Sequence, residues 1–331
     1  MKEILNQLFE GKKLSKDQAK DTLIGIASGK YNNSQIASFI TSYLMRSVTV
    51  EELEGFREAL LELCIKIDFD AYNPIDLCGT GGDGKNAFNI STISSFIVAG
   101  AGINVAKHGN YGVSSLCGSS NVLEFLGLKF TNDKSILEKQ IETSGICFLH
   151  APLFHPALKN LAPIRKELGV KTFFNILGPM VNPTFPKNQI VGVFSLELVR
   201  LYGYIYQKTD KNFYIIHSLD GFDEISLTAN FKVMGRSEEA IFSPGDLNFS
   251  PKTLEELSGG ASIHEAAKIL LNVLNNQGTP AQKEVVIANS GFAIHCAKPE
   301  LSLQDAFAMA KESLESGKAF NAYRKMMEAT A

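Results

Sequence analysis

Apolar residues in the first seventy positions recur at the spacing of an α-helix. Three amphipathic helices are predicted there, beginning after Ser15, at Ser34 and after a capping box at Thr49. The helix from Ser34 carries its apolar stripe at Ile36, Phe39, Ile40 and Leu44. The pattern therefore predicts an all-helical domain over residues 1–70.

Beyond residue 70 the pattern changes to short apolar runs separated by helical stretches. Runs typical of buried strands occur at 75–78, 103–106, 146–149, 190–194 and 213–217. The stretches between them include helical patterns at Ser135–Ser144 and Leu196–Lys208. This alternation is typical of an α/β domain whose mainly parallel central sheet is flanked by helices on both faces. We expect that large domain to occupy residues 71–331.

Two further regions complete the predicted organisation. A strand-like stretch at Ile225–Met234 precedes long helical patterns at Ile263–Asn275, Pro280–Cys296 and Leu303–Met327. A proline-rich segment with a helical pattern at Leu158–Leu168 interrupts the α/β alternation. We expect the chain to return to the helical layer there, so that the helical domain gains an inserted part near residues 155–185.

Composition and charge exclude several classes of protein. The 331 residues carry a formal net charge of -3, which gives no electrostatic footprint for nucleic acid. No apolar run reaches the length that crosses a bilayer, and the amino terminus leads into an amphipathic helix, not a signal peptide. The five cysteines are widely spaced and form no C-x-x-C motif, as in buried cysteines of a reducing cytoplasm.

A glycine- and hydroxyl-rich segment follows the first predicted strand. Its glycines, which permit positive φ and close approach of a ligand, are Gly79, Gly81, Gly82 and Gly84. Asn89, Ser91 and Thr92 then begin a helix whose free N–H groups and dipole attract anions. The spacing matches neither the P-loop nor the dinucleotide fingerprint. By itself, a tight turn explains such a cluster equally well.

A second segment of this kind follows the next predicted strand. It runs from Val105 through Lys107 and two serines at 114 and 115 to Gly118-Ser-Ser120. In a parallel sheet both segments open at the carboxyl ends of their strands, where ligands normally bind. Together they favour a site for a polyanion, most simply a phosphate ester, with Lys107 as a fixed positive charge.

An acidic stretch, Asp220-Gly-Phe-Asp-Glu224, follows the fifth strand-like run. It is either a solvated turn or a divalent-cation site, since magnesium prefers one or two protein carboxylates together with phosphate oxygens and water. Two other residues also permit two interpretations. Arg165 lies either on a solvated helix face or in a site, and His155 is either a core histidine or part of that site.

In this order and spacing, the chain's motifs resemble those of the anthranilate phosphoribosyltransferase family over essentially the whole length. The segments that carry the resemblance are Gly79-Thr-Gly-Gly-Asp83, Asn89-Ile-Ser-Thr92, Lys107-His-Gly-Asn110, Ser114-Ser115 with Gly118-Ser-Ser120, Ala151-Pro-x-x-His-Pro156, Pro163-x-Arg165, Asn175-x-Leu-Gly-Pro179 and Asp220-Gly-x-Asp-Glu224. The resemblance implies the nucleoside phosphorylase/phosphoribosyltransferase-like fold and a homodimer formed through the helical domain. It also implies transfer of phosphoribose from phosphoribosyl diphosphate (PRPP) to the amine of anthranilate, releasing diphosphate, in tryptophan biosynthesis in the cytoplasm.

The resemblance also implies roles for individual residues. Those implied to bind PRPP are Gly79, Gly82, Asp83, Ala87, Asn89, Ile90, Ser91, Thr92, Lys107, His108, Gly109, Asn110, Ser114, Ser115 and Ser119. Those implied to contact anthranilate or line its approach are Gly79, Asn110, Pro152, His155, Arg165 and Gly178. A pair of magnesium ions would bind with PRPP through Ser91, Asp223 and Glu224, and the residues implied to act in catalysis are Lys107 and Arg165.

Two positions depart from the family pattern. Tyr111 stands where the motif usually continues with arginine, which removes a positive charge from the PRPP site, and Ala87 replaces a common threonine. We expect the activity to be retained. Because breaking the C1–O bond of PRPP leaves negative charge on diphosphate, the reaction needs stabilisation of the leaving group more than a side-chain nucleophile.

Two alternatives remain at this point. A pyrimidine nucleoside phosphorylase-like enzyme shares the architecture and a glycine loop, but it should lack the pair Asp223-Glu224. A non-catalytic nucleic-acid-binding relative predicts a basic surface and loss of the anthranilate contacts. The acidic net charge and the presence of Asn110 and Arg165 disfavour it.

Overall fold

The computed structural model describes residues 1–112, 117–159 and 161–330. Its amino-terminal part consists of helices α1 (Lys2–Phe9), α2 (Lys16–Ala27), α3 (Asn33–Ser42) and α4 (Val50–Leu63). Side chains cap three of these helices. Ser15 and Thr49 complete capping boxes before α2 and α4, as their sequences predict. Helix α3 begins slightly earlier than predicted, because Asn32 and not Ser34 accepts the capping N–H.

The rest of the chain alternates strands and helices. In chain order these elements are β1 (Ile75–Gly79), α5 (Ile90–Gly100), β2 (Val105–Gly109), α6 (Ser119–Phe125), α7 (Lys134–Ser144), β3 (Ile146–His150), α8 (Ala151–Phe154), α9 (Ala162–Leu168), β4 (Asn188–Gly192), α10 (Leu196–Tyr206), β5 (Asn212–Ser218), β6 (Phe231–Met234), β7 (Glu239–Phe242), α11 (Ile263–Leu274), α12 (Pro280–Ala297), α13 (Leu303–Glu315) and α14 (Lys318–Ala329). Short 3₁₀ turns at Phe173–Ile176 and Gly178–Val181 connect α9 to β4.

The strands form a single mixed sheet in the order β3-β2-β1-β4-β5-β6-β7. The first five strands in this order pair in parallel, and β6 and β7 add an antiparallel edge. Strand β1 pairs with β4 along its whole length, from Ile75 opposite Asn188 to Gly79 opposite Gly192. The predicted α/β class with a mainly parallel central sheet and a helical part is confirmed.

Two local expectations were wrong, and one strand was missed. The strand-like stretch that begins at Ile225 forms a strand only from Phe231, because Leu227 takes a left-handed conformation with φ of 60°. Strand β7 was not predicted. The helical pattern at Leu303–Met327 is two helices, separated at Gly317, whose φ of 78° ends the first.

Apolar cores lie on both faces of the sheet. One face packs against α5 and α11–α14. The other face, with α10, packs against α2–α4 and the segment between residues 161 and 181. In that second core Phe173 stacks on Phe56 with ring centroids 4.5 Å apart. The proline-rich segment thus shares a core with the amino-terminal helices, and it lies across the carboxyl ends of β1 and β2. Among the described residues no helix is long and apolar enough to cross a membrane.

Candidate active site

A cavity of about 250 Å³ opens at the carboxyl ends of β1 and β2, facing the segment between residues 155 and 181. The residues singled out from the sequence that line it are Gly79, Gly82, Asp83, Ala87, Asn89, Ser91, Thr92, Lys107, His108, Gly109, Asn110, Ser119, His155, Arg165, Gly178, Asp223 and Glu224. Residues from distant parts of the chain therefore meet in one space, as the rule for ligand sites in parallel sheets leads one to expect.

The glycine-rich loop after β1 requires glycine for two different reasons. A Cβ at Gly79 would overlap the carboxylate of Asp223, so this position permits the close approach of the acidic segment. Gly81, Gly82 and Gly84 have positive φ of 61°, 79° and 74°. The backbone N–H of Gly81 donates to Asp223 Oδ2 at 2.7 Å. The loop is thus attached to the acidic segment and presents its backbone to the cavity.

The amino-terminal end of α5 forms the floor beside this loop. The N–H of Ser91 donates to Glu224 Oε1 at 3.0 Å, and the Asn89 side chain donates to the carbonyl of Cys117 at 3.0 Å. Within the described part of the chain, the buried hydroxyl of Thr92 has no hydrogen-bond partner. The unpartnered Thr92 hydroxyl and the dipole at the helix amino terminus make this floor suited to an anionic oxygen.

Three carboxyl groups gather at this end of the cavity. Burial raises the pKa of Asp223 to about 7, and repulsion from Asp83 adds to the shift. Burial and the neighbouring carboxylates likewise raise the pKa of Glu224, and burial raises that of Asp83. No group of three or more His, Cys, Asp or Glu side chains within the described ranges could hold a metal alone. The site instead fits magnesium, which takes one or two protein carboxylates with phosphate oxygens and water.

Strand β2 places Lys107 and His108 in the cavity wall. The Lys107 ammonium is buried and donates to the carbonyl of Leu77 at 2.6 Å. His108 Nδ1 lies 3.1 Å from the carbonyl of Gly178. Because a carbonyl only accepts, Nδ1 carries the proton and Nε2 remains an acceptor.

A second buried histidine has the same arrangement. His155 Nε2 lies 2.9 Å from the carbonyl of Val181, which leaves Nδ1 as an acceptor. Burial lowers the pKa of His155 to about 4 and that of His108 to about 3, so both rings are neutral at neutral pH. The ring centroids are 5.4 Å apart. The cavity wall therefore offers two neutral acceptors rather than two cations.

Arg165 projects from α9 into the same end of the cavity. It is half-buried, its guanidinium lies over the Phe174 ring at 5.4 Å, and Nη2 is 3.4 Å from Asn175 Oδ1. Burial lowers the pKa of its guanidinium, without an opposing contribution from any described carboxylate. The structure places Arg165 in the cavity rather than on a solvated face, with its charge free to pair with an anionic ligand.

Comparison with known proteins decides the family. The model of a glycosyl transferase family, a/b domain, matches residues 71–320, and that of the helical bundle domain matches residues 2–64. Anthranilate phosphoribosyltransferases of Christiangramia forsetii and Bacteroides thetaiotaomicron are 59% and 53% identical to this chain over 328 residues, covering 99% of each chain. The chain belongs to the anthranilate phosphoribosyltransferase family.

Solved structures agree with this assignment. A crystal structure of the anthranilate phosphoribosyltransferase (TrpD) from Thermus thermophilus superposes with a TM-score of 0.90 at 29% identity, covering 99% of each chain. The Saccharomyces cerevisiae enzyme in complex with PRPP and Mg has a TM-score of 0.90 at 24% identity, covering 98% of this chain and 96% of its own. At that identity the likeness to the yeast protein shows the fold alone.

Among the described residues that the family resemblance implies, Ile90 and Pro152 do not line the cavity. Ile90 is fully buried in the apolar core beneath α5. Pro152 is exposed and does not line the cavity. Ser114 and Ser115 lie outside the described residues. The side chain of Ile90 is therefore unavailable to a ligand in this fold, since it faces away from the cavity.

Sequence reasoning missed other residues at the site. Phe174 and Asn175 line the cavity beside Arg165, and Lys171, which does not line it, donates to the carbonyl of Gly82. Asn175 was quoted only as part of a motif, and the basic character of Lys171 was the one available signal. The contact between Lys171 and Gly82 spans 89 positions along the chain, which no local pattern reveals.

The structure shows the contacts of Tyr111 and Ala87, the two positions that depart from the family pattern. The Tyr111 hydroxyl donates to Glu124 Oε1 at 3.1 Å, and its ring contacts that of His150 with centroids 4.9 Å apart. Tyr111 therefore lies at the cavity edge without adding a positive charge. Ala87 forms an isolated antiparallel bridge with Ser258.

Proposed function

We propose that this chain transfers the phosphoribosyl group of PRPP to the amine of anthranilate and releases diphosphate, as a step of tryptophan biosynthesis. The observation that carries the proposal is the division of one cavity into two unlike ends. A glycine loop, a helix amino terminus and buried carboxylates form one end. A half-buried arginine and two neutral histidines form the other.

The first end suits the diphosphate of PRPP. The loop from Gly79 to Asp83 and the amino terminus of α5 present their backbone and the Thr92 hydroxyl to the cavity, and Lys107 adds a positive charge. A pair of magnesium ions bound by Asp223, Glu224 and Ser91 together with PRPP would neutralise the charge that develops on the leaving group. Without a bound cation, these carboxylates would repel a polyanion. Their presence beside the diphosphate end therefore implies that a cation binds there.

The second end suits anthranilate, which carries a carboxylate and an aromatic amine. Arg165 is positioned to pair with the carboxylate, and the Phe174 ring packs against its guanidinium. The free acceptor nitrogens of His108 and His155 suit the N–H groups of the amine. Holding amine and ribose together in a cavity that excludes water supplies proximity, so no side-chain nucleophile is required.

The organisation of the whole protein belongs to the same proposal. Residues 1–70, with the inserted part near 155–185, form the helical domain, and residues 71–331 form the α/β domain. Two copies associate through the helical domain, and the enzyme works in the cytoplasm. The exposed apolar side chains of Phe9 and Met45 on the helical part support this mode of association.

The acceptor decides between this proposal and a pyrimidine nucleoside phosphorylase-like activity. The purified chain is incubated in parallel with PRPP, magnesium and anthranilate, and with thymidine or uridine and inorganic phosphate. Consumption of anthranilate in the first mixture alone supports the proposal. Release of a free pyrimidine in the second mixture, with anthranilate unchanged in the first, would reject it.

A further inference from the structure

The segment that carries the acidic pair is irregular, although its position matters for the site. Between the end of β5 at Ser218 and the start of β6 at Phe231, it forms neither helix nor strand. Gly221 and Leu227 take positive φ of 101° and 60° within it. Backbone hydrogen bonds join its ends, from the Leu219 N–H to the Asn230 carbonyl, and the Ser218 hydroxyl donates to the Glu224 carbonyl at 2.6 Å. Because irregular backbone has no continuous ladder of hydrogen bonds, such side-chain contacts help to fix Asp223 and Glu224 in place.

One side chain from a distant helix satisfies the backbone of this segment directly after the acidic pair. Asn289 Oδ1 accepts from the N–H of Ile225 at 3.0 Å, and Asn289 Nδ2 donates to the carbonyl of Ile225 at 2.8 Å. The same Nδ2 also donates to the carbonyl of Val285, one turn earlier in α12, at 2.8 Å. The amide is therefore held by its own helix while it holds both polar groups of Ile225.

The helix that carries Asn289 is long and well packed. Helix α12 has 18 residues and packs against β4, β5, α5 and α13. Asn289 is 7% exposed, so water competes little for its amide. It also lines a small cavity of about 20 Å³ together with Ser91, Asp223 and Glu224. The amide thus lies next to the carboxylates without lining the substrate cavity.

We propose that Asn289 is a positioning residue for the magnesium and diphosphate half of the reaction. By pinning Ile225, it keeps Glu224 against the Ser91 N–H and Asp223 against the Gly81 N–H, where both carboxylates face the glycine loop. This inference rests on the proposed function, since it assigns Asn289 to that same site. Asn289 is not among the residues lining the substrate cavity and acts only through the segment that it holds.

The test compares Asn289→Leu with Gln140→Leu, which removes a buried amide of similar burial elsewhere. Gln140 is 2% exposed on α7, where it donates to Thr330 and accepts from the N–H of Phe148. Binding of diphosphate in the presence of magnesium is measured by calorimetry. The Michaelis constants for PRPP, magnesium and anthranilate are measured in the same preparations. Both variants lose a buried amide, so both should lose thermal stability to a similar degree.

We expect Asn289→Leu alone to weaken magnesium-dependent diphosphate binding and to raise the magnesium requirement by about tenfold or more, because a displaced Glu224 would lose its charge-assisted hydrogen bond from the Ser91 N–H. The Michaelis constant for anthranilate should stay near that of the unchanged protein. If Asn289→Leu does not fold, Asn289→Ser, which keeps one hydroxyl for Ile225, should show a smaller shift in the same direction.

Three other outcomes are informative. If Asn289→Leu or Asn289→Ser matches Gln140→Leu in diphosphate binding and magnesium requirement, the positioning role is wrong while the proposed function stands. If anthranilate and PRPP constants rise together, the effect is general loosening, and the role is again wrong. If the unchanged protein neither binds diphosphate with magnesium nor consumes anthranilate, the proposed function fails, and this inference fails with it.

Discussion

Asp223 and Glu224 lie beside a third carboxyl group, Asp83. Burial raises the pKa of all three, and repulsion from neighbouring carboxylates raises the pKa of Asp223 and Glu224 further. A group whose pKa is higher in the folded than in the unfolded state contributes stability at low pH, and this contribution is lost as the pH rises through the folded value. For Asp223 the loss extends from about pH 4 to about pH 7. In the ligand-free protein at neutral pH, the ionised carboxylate of Asp223 therefore lowers the free energy of unfolding. A bound cation would remove this loss of stability.

The combined substitution Asp223→Asn and Glu224→Gln should abolish turnover without unfolding the protein. It should also stabilise the ligand-free protein at about pH 8, on the order of a few kcal/mol, with little gain near pH 4. Chemical denaturation at both pH values and an activity assay at millimolar magnesium check these outcomes. Asp210→Asn with Glu300→Gln, at groups with no such burial, is the matched control. Near-normal turnover in the first variant would refute the metal assignment.

Arg165 tests the anthranilate end of the cavity. If its guanidinium pairs with the carboxylate, Arg165→Ala should raise the Michaelis constant for anthranilate by roughly tenfold to a hundredfold, corresponding to a charged hydrogen bond of about 1.5–3 kcal/mol. The constant for PRPP should change far less. Lys166→Ala removes an exposed positive charge from the next position of α9 and serves as the control. Equal effects on both substrates would remove Arg165 from the anthranilate site.

At the scale of single residues, the sequence indicates chemical type better than it indicates pairing. The acidic pair, Lys107 and Arg165 could be selected from the sequence because their motifs and charge identify them. The proton positions on the histidines could not, because they depend on the carbonyls of Gly178 and Val181. Asn289 gave no signal either, since its partner Ile225 lies 64 positions away.

The element that decides phosphate binding is the loop between β1 and α5. Gly82→Ala should weaken calorimetric binding of PRPP with magnesium by at least about tenfold, because Gly82 lines the cavity and an added Cβ, 3.7 Å from the Phe194 ring, would disturb the backbone that faces the ligand. The same change also strains the backbone, since Gly82 has φ of 79°. This strain should lower the melting temperature, and a control variant with similar strain is needed to measure that effect by itself.

Gly84→Ala is that control. Gly84 has φ of 74°, so the backbone strain is similar, but it does not line the cavity and its added Cβ would meet no atom within 4 Å. We expect both variants to lose comparable stability and only Gly82→Ala to lose PRPP binding. Equal PRPP binding by the two variants would mean that the loop is a structural turn and that diphosphate lies elsewhere.

At the scale of elements, local patterns predicted the parallel strands and most helices, because buried runs and caps depend on neighbouring residues. The wrong or missed elements are those whose structure depends on distant residues or whose local signal is weak. The Ile225–Leu227 region is apolar enough for a strand, yet Asn289 takes the hydrogen bonds that a neighbouring strand would need. Strand β7 is short and half-exposed, so it carries little apolar signal. Gly317 did carry a signal for the break between α13 and α14, which the continuous apolar spacing obscured.

For the whole molecule, the proposed dimer makes a separate prediction. Phe9 and Met45 are 66% and 84% exposed in the helical part, where α1 packs on α3. Phe9→Glu with Met45→Glu should shift the protein from dimer to monomer in analytical ultracentrifugation, because charged groups at an apolar interface lose their hydration. Ile241→Glu, at a side chain 56% exposed on β7, is the control and should remain dimeric. A dimer that survives both helical substitutions would place the interface elsewhere.

The shared core between α2–α4 and the segment around Phe173 could be anticipated only in outline, as a return of the chain to the helical layer. Which residues meet across the cavity depends on how the two apolar cores pack against the two faces of the sheet. The Lys171 contact with Gly82 and the placement of Arg165 opposite the glycine loop follow from that arrangement alone.

The proposed transfer of phosphoribose to anthranilate is tested most directly by measuring anthranilate and diphosphate in one reaction. The purified protein is mixed with PRPP, anthranilate and magnesium, and anthranilate fluorescence and diphosphate release are recorded in the same reaction. We expect fluorescence to fall, one diphosphate to appear for each anthranilate consumed, and chelation of magnesium to stop both. Unchanged fluorescence with folded protein, or diphosphate release without loss of anthranilate, would contradict it.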